Sequence, residues 1–502
     1  MDYLDPQKQR AHAIRLMVGY VLIGLAITIA TVVLLYQAYG FGLGKDGEVV
    51  QNGLVFVSSQ PDDAEVYINN QRYKDNSNAR LQLNEGDYTI AVRKDGYREW
   101  QRNVSVGGGS LARYDYPLLV PTKLATAPVK NYAAAPGFTT QSPDRRWLLV
   151  QQPGALLKFD LYDVSDPERV AARATVVTLP EGIVTAAASA EGHAWKLTEW
   201  SNNNRHAVLE HGYPGGMEYI LVDRQEPARS LNLSKALSLK AGQILTLRDK
   251  EPDRYYIHDP AARTVSSGSI NEAASLAPVL SGVLAFKSYG DDMLLYATPE
   301  GAPAGQVMTM LRDGDVTYKI REIGAGAPYL LDLARYDGDW YVAVGASSDN
   351  KAYVFQNPQT VRKVGTIKNL VPAQVLRVNA PNYLAFSSNT RFVMIENGTS
   401  FAIYDAETDK NYTYATSLPL DPGSSPVPHA TWMDGHRIMY VSGGKTVIFD
   451  YDNINGQTLV AASPSYLPFF DRDYRNLYTI APPAANGAAA LTWTPLLTED
   501  DR

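Results

Sequence analysis

Histidine is the residue to weigh first, because imidazole is the commonest general base and metal ligand near neutral pH. The chain has seven: His12, His193, His206, His211, His258, His429 and His436. None forms a His-x-x-x-His or His-Glu-x-x-His pair, so no helical zinc site is expected. His206 and His211 are five apart in or just after one expected strand, an odd spacing that puts them on opposite faces. Cysteine is absent, which removes disulfides, thiolate metal sites and a cysteine nucleophile together. No Gly-x-Ser-x-Gly elbow occurs. Gly443-Gly444-Lys445-Thr446 ends like a phosphate loop, but Met439 stands where its first glycine belongs, and the segment reads as a hairpin turn. Asp450-x-Asp452-Asn453-x-Asn455-Gly456 hints at a calcium loop, yet its glycine comes one place late and Ala461 cannot supply the closing carboxylate. Asp471 and Asp473 could serve as paired acids, but acidic turns are common between strands. No catalytic residue, metal ligand or cofactor is therefore predicted.

Binding chemistry is better represented. There are 32 tyrosines against 12 phenylalanines, and tyrosine provides rigid amphipathic contact area. A proline-rich passage, Pro419-Leu-Asp421-Pro422-Gly-Ser-Ser-Pro426-Val-Pro428, is the best single candidate for a partner-binding loop. Lys and Arg total 46 against 53 Asp and Glu, a net charge of −7, so no basic face is available for nucleic acid. At 45% apolar residues the chain can build a sizeable core.

These residues have to be positioned by three kinds of element. From Leu16 to Gly44 no charged residue occurs, and Leu16–Tyr36 is almost wholly apolar. Twenty-one residues at about 1.5 Å each make a helix of about 31 Å, matching a hydrocarbon core of about 30 Å. The apolar run is too long for a cleaved leader and lacks a well-placed small-x-small site, so residues 16–37 are expected to be a signal anchor. Lys8, Arg10 and Arg15 precede it, which predicts a cytoplasmic tail over 1–15 and an extracytoplasmic bulk.

Residues 52–106 alternate with period 2 in several runs, broken at Pro61-Asp62-Asp63, Asn69-Asn70, Glu85-Gly86-Asp87 and Asp95-Gly96. About five short strands joined by tight turns are expected. Pro61-Asp62-Asp63-Ala64 before the strand Glu65–Ile68, and Leu83-x-x-Gly86-x-Tyr88-x-Ile90-x-Val92-x-Lys94-x-Gly96-Tyr97 after it, resemble the PEGA domain. Asp63 replaces a glycine of that pattern, and the family's mid-domain Thr-Pro is missing. The resemblance implies an extracytoplasmic, non-catalytic β-module, with Pro61, Ala64, Gly86, Tyr88, Gly96 and Tyr97 as structural motif residues.

Residues 107–136 read as a linker, with Gly107-Gly108-Gly109-Ser110 as a flexible joint. Over 137–502 a unit recurs: a polar turn, an apolar strand, a second turn, and a strand often ending in aromatic-x-Asp. Eight instances start near 142, 201, 242, 291, 337, 387, 433 and 471, roughly 47 residues apart, the period of a propeller blade. The turn Ser142-Pro143-Asp144-Arg145-Arg146 resembles those of TolB-like and WD-repeat propellers. The expected fold class is all-β: a transmembrane helix, a small PEGA-like domain, then a seven- or eight-bladed β-propeller. The expected function is a membrane-anchored surface protein whose propeller binds an envelope protein or glycan without catalysis. A structural coat or scaffold, and a propeller enzyme acting on envelope polysaccharide, are the alternatives.

Overall fold

A computed structural model describes residues 6–38, 41–43, 49–171, 173–185, 192–272, 276–360, 370–423 and 429–501. The apolar run forms a helix, α1, over Pro6–Ala38. Within it Arg10–Leu35 is long and apolar enough to cross a membrane, with a mean hydropathy of 2.5 and none of it buried. Its two threonines do not leave their hydroxyls unpaired: Thr28 Oγ1 donates to Gly24 O and Thr31 Oγ1 to Ile27 O, both at 2.8 Å. Closing such bonds inside the helix is what an apolar solvent demands.

Beyond this helix the chain divides into two compact units, residues up to Lys123 together with Thr498–Arg502, and Leu124–Leu497. The first contains a small sandwich of two four-stranded sheets. One has the order Phe41–Leu43, Val49–Val57, Ala79–Asn84, with Leu111–Tyr114 parallel to residues 54–57. The other runs Gln71–Asn76, Glu65–Ile68, Gly86–Arg93, Trp100–Val106. Val55, Val57, Leu81 and Leu83 face Val66, Ile90, Val92, Trp100 and Val104 across the core. Among the strands beyond the sequence expectation, Gln71–Asn76 is a polar edge strand that buries little and so shows no apolar alternation. Asn69 and Asn70, both at positive φ, make the two-residue hairpin turn before that strand.

The second unit holds eight four-stranded sheets among the described residues. Seven are consecutive meanders: blade 1 from Thr139 to Thr178, blade 2 from Ala194 to Asn232, blade 3 from Ile244 to Ser281, and blade 4 from Ala285 to Gly324. Blades 5, 6 and 7 span Tyr329–Arg377, Tyr383–Ala415 and Thr431–Ala461. Blade 8 is assembled from both ends of the unit. Phe469–Phe470, Asn476–Ile480 and Ala489–Pro495 are joined by Ala127–Tyr132 as the outer strand, antiparallel to Ala489–Trp493. The propeller is thus eight-bladed and closed by hydrogen bonds between its first and last strands. The stretch 107–136, expected as a linker, carries that closing strand and the Leu111–Tyr114 strand of the sandwich.

Successive blades bury apolar faces against each other. Blades 1 and 2 share Leu149, Phe159, Trp195 and Leu209, while blades 8 and 1 share Tyr478, Leu491, Leu148 and Tyr162. Fully burying each such side chain stabilises by about 1.5–3 kcal/mol, and no blade could keep both faces dry alone.

The recurrent aromatic-x-Asp ending has a physical partner. In blades 1, 2 and 6 the aspartate ending the third strand is clamped by an arginine opening the second: Arg146–Asp163, Arg205–Asp223 and Arg391–Asp405. Each arginine belongs to a Ser-x-Asp/Asn-x-Arg turn. The serine hydroxyl accepts the N–H of Trp147 in blade 1 and of Phe392 in blade 6. The Asp or Asn at the middle of the turn accepts the arginine's own N–H. Blade 7 uses a variant in which Arg437 faces Asp434 and Asp450. In blade 3 Ile244–Leu247 and Arg254–Asp259 are the first and second strands, paired antiparallel.

Candidate functional site

An antiparallel meander sends the first-to-second and third-to-fourth turns to one end of each blade. The second-to-third turns and the blade-to-blade connections go to the other end. The first end is tied around the ring by its own turns. Asp144 N donates to Asn204 Oδ1, Asn202 N to Lys250 O, and Arg248 Nε to Asp291 O. Thr390 Oγ1 donates to Arg335 O, and Arg145 reaches Met433 O while its guanidinium lies over the Tyr474 ring. The opposite end carries two of the three longest connections, 178–194 and 415–431, while the third, 356–374, is a third-to-fourth-strand turn. The opposite end is the better candidate for an interaction face because it also holds a cleft at blade 2.

At that end of blade 2 three adjacent strands place Trp195, His211 and Glu218 directly across from one another. Sequence reasoning put His206 and His211 on opposite faces, and they are so placed: His206 sits beside Asp223 while His211 turns to Glu218. It did not bring His193 to His211. Eighteen residues apart, their rings meet Nδ1 to Nε2 at 2.9 Å. His211 Nδ1 lies 3.0 Å from Glu218 Oε1. Glu218 also accepts from Thr185 N at 2.8 Å, Thr185 Oγ1 at 2.5 Å and Asn232 Nδ2 at 2.7 Å. Burial opposes its charge, but these donors outweigh burial and hold its pKa below the ordinary carboxylate value. Burial also lowers the His211 pKa against the pull of Glu218. An ionised Glu218 calls for the proton on His211 Nδ1, leaving Nε2 to accept from His193 Nδ1–H. The result is a line from a half-buried imidazole, through a fully buried one, to a carboxylate that lines a cleft of about 490 Å³. The only sequence signal for this line is alternation: His211 and Glu218 each occupy an inward position of their strands.

The proline-rich candidate loop leaves blade 6 for blade 7 at the same end. Pro419 O accepts from Ser442 Oγ at 2.6 Å. Asp421 accepts the N–H groups of Gly443 and Gly444 at 2.8 and 2.7 Å. Those glycines, both at positive φ, form the two-residue turn between Arg437–Ser442 and Lys445–Asp450, a hairpin and not a phosphate loop. Pro422 is exposed, and Pro426 and Pro428 lie outside the described residues. The far root of the loop is held by Glu396, which is fully buried and accepts from Gly398 N and from Ala430 N. Burial, only partly opposed by those two donors, pushes its pKa up to about 7. His429, stacked on Tyr383 at 3.7 Å, stands beside Ala430.

The six motif residues of the small domain serve structure. Ala64 is fully buried, and its N–H donates to Ser77 Oγ at 2.9 Å. Pro61 O accepts from Ser59 Oγ, and Tyr88 OH donates to Asn84 O beside Gly86. Asp63, in the place of the family's glycine, has φ +57 and is held by Asn76, a short polar side chain tolerating the left-handed region. Gly96 has φ +83, and Thr122 N–H donates to its carbonyl. Tyr97 OH donates to Asp501 at 2.8 Å and accepts from Thr498 N at 2.8 Å, while Lys94 pairs with Asp501 at 2.6 Å. The distant segment Thr498–Asp501 is thereby fastened to the sandwich. With Tyr97 and Trp100 buried, Tyr67, Tyr88, Tyr97 and Trp100 do not make one exposed aromatic surface.

No cluster of three metal-ligating side chains occurs among the described residues. In the calcium-like segment Asn455 Nδ2 donates to Asp450 Oδ2, closing the turn itself. Residues 52–119 match the family model of the PEGA domain. A comparison with curated protein sequences gives no match. Among solved structures the chain is similar to Kluyveromyces lactis Hsv2, at 11% identity over 66% of this chain and 99% of that one, with a TM-score of 0.39. It is also similar to the dihydro-heme d1 dehydrogenase NirN in complex with DHE, at 13% identity over 67% of each chain, with a TM-score of 0.39. A Listeria monocytogenes EGD-e protein matches at 12% identity over 66% of this chain and 92% of its own, again with a TM-score of 0.39. The chain is an eight-bladed β-propeller protein with a PEGA domain and one N-terminal helix apolar enough to span a membrane.

Proposed function

We propose that this is a single-pass, membrane-anchored surface protein with a cytoplasmic N-terminus. Its propeller binds an envelope protein or glycan, without catalysis, at the end of the ring bearing the second-to-third-strand turns. The observation that carries the reading is the asymmetry of the ring. One end is consumed by turn-to-turn bonds and arginine–aspartate clamps. The other offers the blade-to-blade connections 178–194 and 415–431 and a cleft of mixed polar and apolar lining. The uncharged helix and the PEGA match support the anchored, extracytoplasmic placement. Membrane-impermeant cross-linking of intact cells, followed by pull-down and mass spectrometry, tests it. Modification of residues beyond 49 with repeated capture of one foreign partner is expected. Capture of the chain's own copies alone would favour a scaffold, and an unmodified bulk would overturn the topology.

A further inference from the structure

The blade-2 cleft has a lining that points to a class of ligand. Lys235 and Lys240 both line it, and neither makes an ion pair among the described residues. Asp259, which feels the Lys240 charge, is already bound by Gln243 Nε2 and the Ala262 N–H. Glu218 forms part of the wall, but its carboxylate is filled by four donors from Thr185, His211 and Asn232. It therefore does not take up the lysines. Lys235 Nζ reaches the Gly182 carbonyl at 3.5 Å, so the cleft carries two ammonium groups without a carboxylate partner among the described residues, in a chain of net charge −7. The remaining wall is mixed: the half-buried ring of Tyr213 with Met217 and Leu239 on the apolar side, and Gln243 on the polar side. Its volume suits one or two sugar rings.

We infer that this cleft binds a carboxylate-bearing saccharide. The acid group sits between Lys235 and Lys240, and a sugar face lies on Tyr213. Ammonium–carboxylate hydrogen bonds supply the recognition, and the aromatic ring supplies contact area that a bare acid cannot use. The inference rests on the reading of this end of the ring as the binding face, and narrows it to one site and one chemistry.

The test is isothermal titration of the full-length protein in detergent micelles with a galacturonic acid disaccharide, its neutral galactose counterpart, and acetate. Saturable binding of the acidic disaccharide, tighter than the neutral one by about tenfold or more, is expected. The Lys235→Ala/Lys240→Ala double variant, with an unchanged melting temperature, should abolish that preference, and Lys240→Arg should retain it. No binding, equal binding of acidic and neutral sugars, or indifference to the double variant overturns the site. Acetate binding as tightly as the disaccharide overturns the saccharide part. Cross-linking on cells with the same double variant separates the two readings. A partner still captured there while the sugar fails to bind leaves the wider proposal standing and removes this one.

Discussion

Blade 6 buries two carboxylates completely, one at each end of the same strand hairpin. Asp405 ends the third strand and is gripped by both arms of Arg391, at 2.8 and 2.6 Å. Glu396 ends the second strand and meets only two backbone N–H groups, those of Gly398 and Ala430. Two further aspartates at the clamped end behave as Asp405's geometry would suggest. At the clamped end burial works against Asp163 and Asp223, but the arginine bonds hold both at about 2. At the opposite end Glu396 is raised to about 7. The clamped end is thus built for cohesion. At the other end Glu396 holds the root of the proline-rich passage with its charge poorly compensated, whereas Glu218 at the cleft is fully satisfied by its donors.

The largest effect that could break this comparison is Arg391→Ala. It leaves Asp405 buried without its cation and should cost about 3–5 kcal/mol in chemical denaturation. A loss well below that range would mean that Asp405 escapes to water, and that the clamp is not what holds this end.

Next comes Glu396. A pKa raised above the ordinary 4.5 penalises the charged form in the folded state. The stability it confers is fully present below pH 4.5 and is lost as pH rises toward about 7, by about 3 kcal/mol. Glu396→Gln should remove that decline, so that the variant gains on the wild type as pH rises from 4.5 to 7. Parallel stability profiles for the two proteins over this range would contradict the assignment.

Smaller still is Asp421→Ala, which strips the acceptor from Gly443 N and Gly444 N and should cost about 1 kcal/mol. Amide exchange at Gly443 and Gly444 should quicken while the blade-1 strands stay protected; a global change would show that the passage supports the whole ring. Tyr97→Phe is the control outside the propeller. Losing the hydroxyl shared by Thr498 and Asp501 should cost about 1 kcal/mol and raise exchange at Thr498 alone.

Much of this architecture was legible because it is written locally. The Leu16–Tyr36 run, the Asn69-Asn70 and Gly443-Gly444 turns and the Ser-x-Asp/Asn-x-Arg turns each specify their geometry within a few residues. The aromatic-x-Asp endings were visible too, but not their partners, because the arginine lies one hairpin earlier and 14 to 18 residues away. The candidate loop lies on a blade-to-blade connection, and its Asp421, named for partner binding, holds a neighbouring turn, a contact 22 residues away that no local pattern marks.

By itself, then, the sequence determined what short-range periodicity and turn chemistry can determine: an apolar span, a small alternating module and a repeat of blade length. Only the tertiary structure decided how many blades there are and how the ring shuts. The closing strand Ala127–Tyr132 pairs with residues some 360 positions away, inside what reads locally as an alanine- and proline-rich linker. It also decided the chemistry at the open end. His193, His211, Glu218, Lys235 and Lys240 carry no spacing that marks them, and they come to one end of a blade only because a meander of strands and its connections folds them there.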